Sequence, residues 1–187
     1  MKKIVLFGDS LFNGFRQHRN TDVITHGLQK RLGKFAIVEN MSKSGATTIE
    51  ALDYLDQIDP NADIIIIEYG TNDSSAWGIS CENYAKNLET IVNYFNPNKL
   101  IIVSPWHPNP NSEQTEFFNP QILKENVEIA QKLAKKYNCP IINLNKLTDG
   151  IKNVDKIYQS DGLHLTDLGN KCLLDLITPV IETKLKG

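Results

Sequence analysis

Cysteine is scarce in this chain. Cys81, Cys139 and Cys172 are the only three among 187 residues. They are far apart, odd in number and without metal-ligand spacing, which excludes a disulfide framework or a thiolate metal centre. Each reads as a small buried hydrophobe, and reduced thiols fit a cytoplasmic location. An excess of charge is missing too. Twenty Lys and Arg stand against 22 Asp and Glu, a net of -2, which leaves no electrostatic footprint for nucleic acid or an anionic membrane surface. No apolar run approaches a membrane span. The opening Met1-Lys2-Lys3 resembles a signal peptide, but the apolar run Ile4–Phe7 ends at Gly8-Asp9. That is too short for a signal core, and no small-residue cleavage site follows, so a soluble, unexported protein is expected. Repeats, low-complexity tracts and linkers are absent. At 41% hydrophobic residues the chain suits one compact domain over residues 1–187.

Five short apolar runs are present: Lys3–Phe7, Phe35–Val38, Ile64–Ile67, Leu100–Val103 and Pro140–Leu144. They are β-branched, continuous rather than alternating, and bounded by Gly, Asn, Asp or Pro, as strands buried on both faces are. Helical patterns fall between them. They run over about Asp22–Leu32 (stopped by Gly33), Thr48–Leu55, Glu82–Phe95 (Ser80 as cap), Asn119–Tyr137 (a cap followed by Pro120) and Thr166–Lys184. The alternation predicts a three-layer α/β/α sandwich with a flavodoxin-like five-stranded parallel sheet in the order 2-1-3-4-5. The least regular stretch, Pro105–Pro120, reads as a surface loop or a lid.

The first strand runs into Gly8-Asp9-Ser10-Leu11. A serine just beyond the carboxyl end of a first parallel strand sits where open α/β sheets bind ligands. It could instead cap a following helix, whose free amides would favour negative charge nearby. A nucleophilic serine needs a base, and the base an orienting group. Only His18, His26, His107 and His164 are available. His164 lies in Asp161-Gly162-Leu163-His164, where a tight turn lets the carboxylate three residues earlier reach the imidazole. Thr166 reads as the cap of the last helix. An acyl-transfer site also needs oxyanion donors. Asn72 in Gly70-Thr71-Asn72-Asp73 offers a side-chain amide at the same sheet rim. Gly45, after the second strand, offers a backbone amide with no side chain in the way. Both are also ordinary turn residues.

Taken together, these segments resemble the blocks of the SGNH hydrolases, the GDSL esterase and lipase family. Gly8-Asp9-Ser10-Leu11 resembles the nucleophile block, Gly45 the family glycine, Gly70-Thr71-Asn72-Asp73 the asparagine block and Asp161-Gly162-Leu163-His164 the terminal Asp-x-x-His. The resemblance runs from residue 4 to about residue 170. It implies a serine esterase in which Ser10 attacks the ester carbonyl, His164 moves the proton and Asp161 orients His164. By the same resemblance the amides of Ser10 and Gly45 and the side chain of Asn72 hold the oxyanion, and no metal or organic cofactor is needed. The implied partner is a small-molecule ester: a short-chain acyl ester, an acetylated sugar, a lysophospholipid or an acyl thioester. Phe12, Ser42 and Leu165 depart from frequent family residues without touching the core blocks.

Asp9, Trp77, Trp106 and His107 are further candidates for substrate contact, with Phe117 and Phe118 as possible apolar walls. His107 lacks an acid nearby in sequence and reads as a pocket-wall or surface residue rather than a base. His18 and His26 read as solvent-facing. Two other readings share the layer order. A flavodoxin-like phosphate or flavin binder needs a loop of glycines and hydroxyls after the first strand, where Asp9, Leu11 and Phe12 stand. A non-catalytic carbohydrate-binding module on the same fold is disfavoured by intact Ser10, Asn72, Asp161 and His164.

Overall fold

The computed structural model describes residues 1–186. Strands β1 (Lys2–Phe7), β2 (Ala36–Asn40), β3 (Ile64–Glu68), β4 (Leu100–Val103) and β5 (Ile141–Ile142) form one sheet. Every pairing is parallel and the order is β2-β1-β3-β4-β5, as expected. The helices are α1 (Val23–Leu32), α2 (Thr48–Asp53), α3 (Cys81–Tyr94), α4 (Pro120–Lys136) and α5 (Asp167–Lys186).

Successive side chains of a strand point to opposite faces, so β1 divides its residues between two cores. Ile4 and Leu6 pack with Ile24 and Leu28 of α1 and Leu173 and Ile177 of α5. Val5 and Phe7 pack with Ala51 of α2, Leu88 and Ile91 of α3 and Ala130 of α4. The continuous apolar runs in the sequence reflect this two-sided burial. The helix starts are fixed locally. Thr47 and Glu50 form a capping box on α2, Ser80 accepts from the Asn83 N–H on α3, and Asn119 accepts from the Gln121 and Ile122 N–H groups ahead of α4.

Several expectations need correction. Phe35 belongs to a 3-10 turn and is exposed, and β2 instead runs on to Asn40. As an edge strand it is not buried throughout, and Ile37 is half exposed. Strand β5 is only two residues long, because Leu144 starts a 3-10 turn capped by Asn143. Helix α2 stops at Asp53 before a separate 3-10 turn, Leu55–Gln57. No helix follows Ser10; residues 10–14 are turns. All three cysteines are free, but only Cys139 is buried. Among the described residues no helix is long and apolar enough to cross a membrane.

The chain leaves β1 toward β2 on one side and reaches β3 on the other. That reversal opens a crevice at the carboxyl ends of β1 and β3, and Ser10 and Asn72 follow these two strands.

Candidate active site

Ser10 and His164 meet at this crevice. The Oγ of Ser10 lies 2.9 Å from Nε2 of His164, and Nδ1 of the same ring lies 2.8 Å from Oδ2 of Asp161. An ionised carboxylate only accepts, so Nδ1 carries the ring hydrogen and donates it to Asp161. Nε2 is then free to accept from the Ser10 hydroxyl. Asp161 Oδ1 also accepts from the N–H groups of Leu163 and His164 at 2.9 Å each, closing the turn that the Asp-x-x-His spacing requires. Burial works to raise the Asp161 carboxyl. The hydrogen bonds from the His164 ring and from the two N–H groups outweigh it and hold the carboxyl below its ordinary value.

Gly162 lets this turn form. Its φ is +69°, and a Cβ there would stand 2.4 Å from Oγ of Ser112. The His164 loop is thereby packed against the 105–120 segment, whose Asn109 N–H donates to the Gly162 carbonyl. The segment is tied down elsewhere too. Asn109 Nδ2 donates to Asp155, the Asn119 N–H to the Ser74 carbonyl and the Ala76 N–H to the Phe117 carbonyl.

Of the expected oxyanion donors, Ser10 and Asn72 line the crevice and Gly45 is not among its lining residues. Gly45 is exposed with φ +81° and open space where a Cβ would stand. Among the described residues none accepts from the N–H of Ser10 or of Gly45. The Asn72 side chain is more occupied. Its Nδ2 donates to Oδ2 of Asp9 at 2.9 Å and to the Ala46 carbonyl at 3.0 Å. Asp9 borders the crevice, but its carboxylate is taken up within the protein. It is 3% exposed, with Oδ1 accepting from the Leu11 N–H and Oδ2 from Asn72.

Trp106 forms a wall of the crevice. It is buried, its N–H donates to Thr71 Oγ1, its carbonyl accepts from that hydroxyl, and its Nε1 donates to the Leu163 carbonyl. One side chain thus joins the loops after β3 and β4 to the His164 loop. Asp9, Ser10, Leu11, Thr71, Asn72, Trp106, Leu163 and His164 line a void of about 10 Å³ that opens to the surface. Trp77 is not among these lining residues. It is exposed and stacked on Phe117, with ring centroids 5.2 Å apart. His107 lies apart from the Ser10 void, between cavities of about 310 and 420 Å³. Its Nε2 is buried with no partner among the described residues, and burial lowers its pKa. His18 and His26 are exposed.

Three participants were not legible beforehand. Phe15 packs against the His164 ring, centroids 4.6 Å apart. Thr71 holds Trp106. Glu68, the last residue of β3, lies fully buried beneath Asp9. A lone acid closing the run Ile64–Ile67 was the signal available for Glu68, since carboxylates are almost never fully buried without a partner.

Comparison with protein families matches residues 6–172 to the GDSL-like Lipase/Acylhydrolase family. The chain belongs to that family. This GDSL-like acylhydrolase is an ester-hydrolysing enzyme. Among solved structures it is similar to the lipase/acylhydrolase from Enterococcus faecalis, at 28% identity and a TM-score of 0.91 over 98% of this chain and 97% of that one. Two more distant likenesses share the fold. The structure titled TesA is 20% identical, with a TM-score of 0.77 over 98% of this chain and 99% of the other. The acetyl xylan esterase AlAXEase is 19% identical, with a TM-score of 0.75 over 96% and 99%. Comparison with curated proteins gives no match.

Proposed function

We propose that this GDSL-like acylhydrolase is a serine esterase for short acyl groups that works through an acyl-enzyme on Ser10. The observation that carries the reading is the unbroken line of contacts from Ser10 Oγ through His164 to Asp161, at 2.9 and 2.8 Å. In the first step Ser10 Oγ attacks the ester carbonyl while His164 Nε2 takes its proton. Asp161 keeps Nδ1 protonated and steadies the imidazolium. The charge on the carbonyl oxygen develops toward the N–H groups of Ser10 and Gly45 and toward the Asn72 amide, one of whose two hydrogens turns from the Ala46 carbonyl to the oxyanion. Collapse of the intermediate expels the alcohol, protonated by His164. Water, activated by the same imidazole, then releases the acid and restores Ser10.

The preference for a short acyl group rests on the size and stiffness of the void at Ser10. About 10 Å³ is room for roughly one water. Enlarging it means moving Trp106, which is held through its N–H, its carbonyl and its indole nitrogen. An acetyl group asks little of that wall, and a long chain asks that these bonds break.

A series of p-nitrophenyl esters of increasing acyl length, with wild type beside Ser10→Ala, tests both parts. Turnover should be highest for acetyl and fall steadily beyond butyryl. Ser10→Ala should be inactive throughout and should fail to react with a fluorophosphonate that labels the wild type. A preference for long chains would refute the short-acyl reading. Equal labelling of both proteins would show that Ser10 is not the nucleophile.

A further inference from the structure

Beneath the crevice lies a pair of acids that the reaction as described does not use. Glu68 is 0% exposed and Asp9 3%. Among the described residues neither makes an ion pair with a lysine or arginine. The two carboxyls are not equivalent. Asp9 collects donors: the Leu11 N–H on Oδ1 at 2.9 Å and the Asn72 amide on Oδ2 at 2.9 Å. Glu68 has only the Asp9 N–H on Oε2, at a long 3.4 Å, and its Oε1 is buried without a donor. Two carboxylates in contact, buried and without a cation, cannot both stay ionised. The better-supplied Asp9 keeps the charge and the poorly supplied Glu68 keeps a proton. A neutral carboxyl has one hydrogen to give, and the acid beside it is Asp9, whose N–H already donates to Oε2.

We propose that Glu68 is a positioning residue for the oxyanion site: as a protonated acid it donates its hydrogen to Asp9 and so fixes the carboxylate that holds the Asn72 amide. The proposal rests on the oxyanion role given above to Asn72. Three consequences of the packing support it. Gly8 leaves the space, since a Cβ there would stand 2.8 Å from the Glu68 carbonyl and 3.0 Å from its Oε2. The pair carries one negative charge instead of two, which limits repulsion of the oxyanion a few ångströms away. The other groups facing the pair leave Glu68 no other ionic partner. Asp73 adds like charge, Tyr69 and Tyr84 are buried phenols whose pKa burial raises, and His164 acts on Asp9. Burial raises Glu68 well above the ordinary carboxyl range.

The test compares Glu68→Gln with Glu68→Leu. Glutamine reproduces the protonated acid, since its Nε2 donates to Asp9 while its Oε1 accepts from the Asp9 N–H. Leucine keeps the volume and removes both bonds. Glu68→Gln should retain kcat within about threefold, and Glu68→Leu should lose roughly ten- to a hundredfold in kcat with little change in KM. Independently of activity, the infrared difference between wild type and Glu68→Gln at neutral pH should show the C=O stretch of a protonated carboxyl. That band reads the proton alone, so it also decides the matter should Glu68→Leu fail to fold. Its absence overturns the proposal, as does a loss in Glu68→Gln equal to that in Glu68→Leu. Normal kcat in folded Glu68→Leu overturns the positioning role alone. Failure of the Ser10 or Asn72 assignment would show separately, in Ser10→Ala and Asn72→Ala.

Discussion

Nε2 of His164 stands 2.9 Å from Oγ of Ser10, with 154 positions of chain between them. The serine follows the first strand and the histidine precedes the last helix. Because Asp161 holds the hydrogen on Nδ1, the nitrogen facing Ser10 is the one without a hydrogen. The Ser10 hydroxyl is therefore the donor of this contact.

This arrangement sets which histidine the activity depends on. His164→Ala should remove most of the activity, because its Nε2 is the acceptor facing the Ser10 hydroxyl. His107→Ala should keep most of it, because His107 lies outside the Ser10 void. Turnover of the three proteins decides it, and a larger loss in His107→Ala would reverse the assignment.

Asp161 should matter less than the residues it serves. Its side chain is 46% exposed while that of His164 is 15%, so water competes with its charge and Phe15 shares in holding the ring. Asp161→Ala should leave kcat roughly ten- to a hundredfold above that of Ser10→Ala. Equal losses in the two variants would mean that the carboxylate, exposed as it is, is indispensable.

The proposed mechanism gives Asn72 one task and its contacts give it another, and a single variant reads both. Removing an oxyanion donor typically costs about a hundred- to a thousandfold in turnover, so Asn72→Ala should lose that much kcat with KM little changed. The same change deprives Asp9 and the Ala46 carbonyl of a donor, which should also lower stability by about 1–3 kcal/mol. Melting and kinetics on one preparation separate the two effects. Near-normal turnover in the folded variant would remove Asn72 from the oxyanion site.

Asp73 gives a stability prediction independent of catalysis. Burial raises its carboxyl to about 6, against the lowering effect of the Thr48 hydroxyl and N–H. The folded form therefore keeps a proton that the unfolded chain releases above about 4. Stability falls as pH rises through that window, and the loss is complete above the folded value. Asp73→Asn removes this dependence, so its Tm should gain on the wild type between about pH 4 and 7, by the equivalent of up to about 3 kcal/mol. A constant difference across that range would show that Asp73 titrates normally.

The boundaries that the sequence misplaced are those settled by neighbours rather than by local residues. Gly33 ends α1 as expected, because the stop is encoded at one position. The length of β5 depended on where Ser104 and Asn143 capture the chain; Asn143 stands inside the run Pro140–Leu144, but Ser104 lies 40 positions away. Trp77 and Trp106 looked alike as apolar candidates. Only packing separated them, one exposed beside Phe117 and the other bonded into the crevice wall.

What the sequence determined by itself was the set of strands and helices and their parallel order, and it singled out Ser10, Asp161 and His164, which the fold brings within hydrogen-bond reach. Those follow from short-range rules: the alternation of apolar runs and caps, and a carboxylate three residues before an imidazole on a tight turn. What only the tertiary structure decided was which polar groups are left free at the site. The burial of Glu68 against Asp9, the double engagement of Asn72 and the locking of Trp106 by Thr71 and Leu163 join residues 26 to 63 positions apart. The physical reason is that a buried donor or acceptor takes whatever partner the folded chain brings within hydrogen-bond reach, and that is set by the sheet, not by neighbours in sequence.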